Sequence, residues 1–327
     1  MSFYRNILKQ AWKITWRNKY LWWLGIFAAL LGNGGVFEIL FNNAGSNPGR
    51  ALFPAWQGLA STDVFSFKTY ANIGNLLKYD TLNMVMVLIL ALAALAALLF
   101  LVWLVIVSQA AIVNNSAALL NQKKSTLRDG WESGMLNFWP VFTLNILVKA
   151  AVYLMLFAIS LPVIFIEGSL NANPFYILAL IMAFPLAIIM SFITKYAIAD
   201  AVINKSTVGQ ALKRGWRLFI ANWLVSFEMA IILFFINILV GLAIILAILA
   251  LAVPFLFLGL IFYYSFSAAG SWLVASLAFA CFLFIVVSCG AALSVFQITS
   301  WTSLFLELDK KRGASKLVRM VNRLVKY

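Results

Sequence analysis

Leu8-Lys9-Gln10-Ala11-Trp12, followed after five residues by Asn18, returns as Leu127-Arg128-Asp129-Gly130-Trp131 with Asn137, and as Leu212-Lys213-Arg214-Gly215-Trp216 with Asn222. Each copy of this pattern, L-[KR]-x-[AG]-W and then Asn, stands directly ahead of a long apolar run. Three matches at one spacing point to a duplicated unit: a basic amphipathic segment followed by a membrane hairpin. The competing reading is common physics, because any helix lying at a membrane surface favours Trp and basic residues. On the duplication reading the units are 1–113, 114–203 and 204–308, with a basic amphipathic cytoplasmic tail at 309–327.

Composition sets the class. Hydrophobic residues make up 64% of the chain and charged ones 10%, against about 45–50% and about 25% in soluble domains. The expectation is an all-α, polytopic integral membrane protein with about six spanning helices of roughly 20 residues or more. The spans are expected near 20–41, 82–113, 138–166, 175–203, 222–264 and 271–306, with an outer loop at 42–80. Gly32-Asn33-Gly34-Gly35 weakens the first, the second is long enough to require tilt or projection, Pro185 bends the fourth and Pro254 breaks the fifth. A re-entrant piece near Pro254 is the alternative for 222–306.

The net charge of +14 suits nucleic acid in principle, but its placement argues against that partner. All 24 Lys and Arg except Arg50, Lys68, Lys78, Lys149 and Lys195 fall within four stretches that abut apolar runs. Those stretches share one face, which the positive-inside rule makes cytoplasmic. The chain is therefore expected in the plasma (bacterial inner) membrane with both termini cytoplasmic. A cleavable signal peptide is the competing reading of the N-terminus, set aside because that segment matches two internal copies.

In the first copy Arg5, Lys9, Lys13 and Arg17 recur every four residues beside an apolar stripe of Tyr4, Leu8, Trp12 and Trp16. Together with Lys213, Arg214, Arg217, Lys316, Arg319 and Arg323 they are the candidate contacts to anionic membrane lipid. Trp12, Trp131 and Trp216 are expected to fix depth at the interface. The small residue before each, Ala11, Gly130 or Gly215, admits another backbone. Asn18, Asn137 and Asn222, tolerant of left-handed geometry, are expected to turn the chain from lying in the membrane plane to crossing it.

These segments, and Trp16-Arg17-Asn18-Lys19-Tyr20-Leu21-Trp22 after the first, resemble a group of uncharacterised bacterial multi-pass membrane proteins. That group is similar to the membrane domain fused to some glycerophosphodiester phosphodiesterases. The resemblance covers most of the chain and carries no functional residues, since the catalytic domain has no counterpart here.

The chain has no histidine, which removes the commonest general base and metal ligand, and no nucleotide-binding loop. Cys281 and Cys289 lie eight apart in the last span and read as packing residues. No catalytic residue, metal or cofactor is expected. The ionisable residues within apolar runs are Lys149, Lys195, Asp200 and Glu228. Lys195 and Asp200 are expected to snorkel to the inner interface, Lys195 and Glu228 reach similar depth and can pair, and Asn145 and Asn237 can bond between helices. The expected function is a non-enzymatic module that organises membrane through lipid, a protein partner or a second copy. The alternative is a small-solute or lipid transporter or channel with a path through Lys149 and Glu228. Transporter repeats usually come as paired halves, which three like units fit poorly.

Overall fold

The computed structural model describes residues 2–30, 81–165, 174–266 and 268–310. The described residues are helical with short connections and contain no strand. In chain order the helices are α1 (Ser2–Arg17), α2 (Tyr20–Ala29), α3 (Thr81–Leu120), α4 (Leu127–Leu136), α5 (Phe138–Phe165), α6 (Pro174–Ile203), α7 (Val208–Ala221), α8 (Trp223–Phe266) and α9 (Ala268–Asp309). Five of them, α3, α5, α6, α8 and α9, are long and apolar enough to cross a membrane. Helix α2 is apolar but shorter, and the remainder of the first expected span, with its glycine cluster, lies outside the described residues. So do the outer loop at 42–80 and, in the tail, Lys316, Arg319 and Arg323.

Pro185 and Pro254 both sit inside unbroken helices. Pro254 therefore does not break α8, and the re-entrant alternative is corrected to one helix of 44 residues. Within a helix bundle, neighbouring helices, hydroxyl side chains or local backbone adjustment can satisfy the carbonyl that a proline leaves free, so a strongly apolar helix can continue through it.

The chain divides into two compact units. The first gathers α1, α2, α3 from Val105, α4, α5 to Phe142, α6 from Lys195, and α7 to α9. Its fully buried side chains include Leu21 on α2, Val107 and Ile112 on α3, Tyr196 on α6, Met229 on α8, and Val295, Leu304 and Phe305 on α9. Glycines set the closest approaches. A Cβ added at Gly25 on α2 would stand 2.5 Å from the Ala291 carbonyl oxygen of α9, and one at Gly134 on α4 would stand 2.5 Å from the Val107 carbonyl oxygen of α3.

Polar side chains tie this core together. Ser116 and Thr299 share a hydroxyl bond of 2.8 Å, Tyr196 and Ser226 one of 2.6 Å, and Gln297 donates its amide to Asn237. Bonds of this kind between helices replace the hydrophobic driving force that lipid does not provide. Asn237 thus makes the interhelical bond expected of it. The second unit holds α3 up to Leu104 and the parts of α5 and α6 between Thr143 and Thr194. There Leu144, Val148 and Val152 form a buried stripe on α5, and Ala183, Ala187, Phe192 and Ile193 are buried on α6.

Candidate functional site

The three motif segments lie on α1, α4 and α7, all within the first unit. On each the small residue ahead of the tryptophan turns inward: Ala11, Gly130 and Gly215 are all buried. Trp12 and Trp216 turn outward, 56% and 50% exposed, and Trp131 is half-buried. At Gly130 the neighbour is the side-chain amide of Asn115 and not a backbone, while the backbone approach falls one turn later at Gly134. The packed face of α1 is offset from the stripe of Tyr4, Leu8, Trp12 and Trp16. Tyr4, Ile7, Ala11 and Ile14 are buried, and Trp12 and Trp16 are left exposed. Helix α1 has three faces: one packed against protein, one of exposed tryptophan and one basic, with Arg5, Lys9, Lys13 and Arg17 all exposed. Trp12 still touches the rim of the core, its ring 6.1 Å from that of Phe296, and the Trp22 indole N–H donates to the Thr15 carbonyl at 2.9 Å.

The three asparagines repeat one geometry. Asn18 donates both its backbone N–H and its side-chain amide to the Ile14 carbonyl, each at 3.0 Å. Asn137 does the same to Ser133 at 3.0 and 2.8 Å, and Asn222 to Leu218 at 3.1 and 3.2 Å. Each asparagine carbonyl then accepts an early bond of the next helix, from Leu21, Val141 or Ser226. One residue thereby closes the shorter helix and opens the apolar one, satisfying orphan groups on both sides. The expected left-handed geometry is not used. Asn137 has φ −99° and Asn222 φ −137°, and the left-handed non-glycine positions among the described residues are Gln122 and Lys205, each two residues past the end of a spanning helix.

A second repeated device precedes α4 and α7. Lys124-Ser125-Thr126 and Lys205-Ser206-Thr207 end at the N-cap positions of those helices, where Thr126 makes a side-chain cap and Thr207 does not. The middle serine donates to a polar side chain near the end of the preceding span, Ser125 to Asn115 at 2.8 Å and Ser206 to Asp200. Asp200, expected to snorkel, is corrected: it is 1% exposed and also accepts from Asn204 at 2.7 Å and from Arg214 at 3.1 Å. A buried carboxylate with three donors is satisfied where it lies and gains nothing by reaching for water. At α4, Thr126 and Asp129 form a reciprocal cap, and the Thr126 backbone N–H, then its hydroxyl, hold the Asp129 carboxyl below the usual carboxylate range.

Lys195 extends its Nζ to 4.5 Å from the Trp301 ring centroid, a cation–π contact inside the first unit. Glu228 is half-buried on α8 and engaged by neighbours. Lys149 is exposed on α5, in the second unit.

Three open grooves lie at the three hinges, with volumes of about 500, 610 and 530 Å³ at α1, α7 and α4. Each is lined by the hinge asparagine and by the residues one, four, five and eight before it. These are Arg17, Ile14, Lys13 and Gln10 at α1; Ala221, Leu218, Arg217 and Arg214 at α7; and Leu136, Ser133, Glu132 and Asp129 at α4. The facing wall is in each case the end of a spanning helix: Leu119 and Leu120 of α3 opposite α1, Leu308 and Asp309 of α9 opposite α7, and Ala201 of α6 opposite α4. Sequence reading identified the hinge asparagines and basic residues but not the grooves or the serine pins. The two Lys-Ser-Thr tripeptides were the available signal for the pins.

Residues 15–303 match DUF7544, a family of unknown function, and the chain belongs to that family. No curated protein and no solved structure matches it.

Proposed function

We propose that this member of DUF7544 is a non-enzymatic membrane-organising module that gathers anionic lipid around its basic in-plane helices α1 and α7. The observation that carries this reading is the pairing of exposed Arg5, Lys9, Lys13 and Arg17 with exposed Trp12 and Trp16 on α1, matched on α7 by exposed Lys213, Arg214 and Arg217 beside Trp216. Exposed tryptophan sets depth at the headgroups, where each nearby cation contributes about 1 kcal/mol toward an anionic surface. In this reading the chain comprises three copies of one unit and six spans, with both termini and all three in-plane helices on the cytoplasmic face of a plasma membrane. The recurrent asparagine hinge supports the duplication, and a sequence without histidine supports a role without catalysis. A protein partner or a second copy would dock on the same module. The transport alternative has less support, because Lys149 stands on an exposed face of α5.

The test is to replace Arg5, Lys9, Lys13 and Arg17 together by Gln and to quantify the anionic lipid that co-purifies per protein from membranes. A drop of several-fold is expected; an unchanged ratio with an intact fold would count decisively against lipid gathering.

A further inference from the structure

The three grooves share position but not charge. At the residues five and eight before the hinge, α1 carries Lys13 and Gln10, with Arg17 one residue before it; α7 carries Arg217 and Arg214; and α4 carries Glu132 and Asp129. Among the lining residues the α1 groove has two cations and no carboxylate, the α7 groove two cations against Asp309, and the α4 groove two carboxylates against Lys205. Each groove also has an apolar side: Ile14, Leu119 and Leu120 at α1, and Leu218, Ala221 and Leu308 at α7. The hinge asparagine commits its backbone N–H and its side-chain amide nitrogen to one backbone carbonyl, so it shapes the wall while the charged positions carry the recognition.

We propose that the α1 and α7 grooves each seat the phosphodiester of one anionic phospholipid headgroup, and that the α4 groove, acidic at the equivalent positions, excludes it. The proposal rests on the lipid-gathering reading and narrows it from a charged surface to two sites of defined stoichiometry. Charge complementarity selects the phosphate: Lys13 and Arg17 place two cations on one helix face at a spacing of four, and at α7 Arg217 stands three residues from Arg214, whose guanidinium keeps donors beyond the one bonded to Asp200. The source is lipid and not the free ion for two reasons. Exposed Trp12, Trp16 and Trp216 hold these helices at headgroup depth, and the leucine side of each groove suits a glycerol and the start of acyl chains. Volumes of about 500 and 610 Å³ fall within the range of small-molecule sites.

The full chain, held in nanodiscs of mixed phosphatidylglycerol and phosphatidylcholine, is released in native mass spectrometry and its retained phosphatidylglycerol is counted. Lys13→Gln with Arg17→Gln is expected to lose one lipid per protein and Arg217→Gln another, while Lys123→Gln with Arg128→Gln, equal in lost charge but outside the grooves, loses none. Glu132→Arg is expected to gain one, and Glu132→Gln serves in its place if the arginine variant does not fold. Equal losses from groove and control pairs would overturn the two-site proposal and leave diffuse lipid gathering standing. No loss from any variant would remove both. Lipid-free protein in detergent that takes up inorganic phosphate in the same grooves, and yields it on the same substitutions, would overturn the lipid assignment.

Discussion

Gly25 and Gly241 separate two uses of the same residue. At Gly25 a methyl group would meet the Ala291 carbonyl oxygen at 2.5 Å and Val295 Cγ2 at 2.7 Å, whereas at Gly241 nothing lies within 4 Å. Backbone cannot rotate aside as a side chain can, so Gly25→Ala must move α2 away from α9. It is expected to cost about 1–3 kcal/mol. Gly241→Ala relieves a helix of its most flexible residue and is expected to be neutral or to stabilise by up to about 1 kcal/mol. Thermal unfolding of both variants in the same detergent checks the contrast, and similar midpoints for the two would mean that the α2–α9 contact yields more easily than its geometry indicates.

At the scale of the element, α4 is the helix most dependent on a single cap, being ten residues long with buried glycines at 130 and 134. Its capping carboxylate, Asp129, has a depressed pKa in the folded chain. The cap is therefore intact above the ordinary aspartate value and is lost as pH falls through the lowered one. The protection factors of the amides across 127–130, with the intrinsic exchange rate at each pH divided out, should stay level from about pH 7 to about pH 5 and fall only below about pH 4. Asp129→Ala should reproduce the acid state at neutral pH, and equal protection in wild type and variant would show that packing alone holds the helix.

The sequence made helix bounds legible because apolar runs end sharply at charge, and α5, α6 and α8 begin or end within a residue or two of their expected limits. It was less informative about faces. Tyr4, Ile7, Ala11 and Ile14 are buried while Trp12 and Trp16 are not, because hydrophobicity cannot distinguish a side chain that wants protein from one that wants lipid. Asp200 was misread for a related reason. Its donors Ser206 and Arg214 come from beyond the helix end, and only the fold brings them back to it.

For the whole molecule, the shared hinge places testable demands on topology. If α1, α4 and α7 occupy one face, then Lys9→Cys, Lys124→Cys and Lys213→Cys, each introduced singly after Cys281 and Cys289 are replaced by serine, should react with an impermeant maleimide from the cytoplasmic side alone. Labelling of any one from outside would break the common orientation and the three-unit reading with it.

The length of α8 has a consequence for the bilayer itself. Its apolar stretch, Trp223–Tyr264, has 42 residues, about 63 Å of helix, against a hydrocarbon core of about 30 Å. Whatever excess tilt and projection into water do not take up, the surrounding lipid absorbs by thickening, at fractions of a kcal/mol per Å. That elastic cost falls when two such collars of strained lipid merge. Copies of this protein should then attract one another through the membrane without touching, most strongly where acyl chains are short, and drift apart as the bilayer thickens.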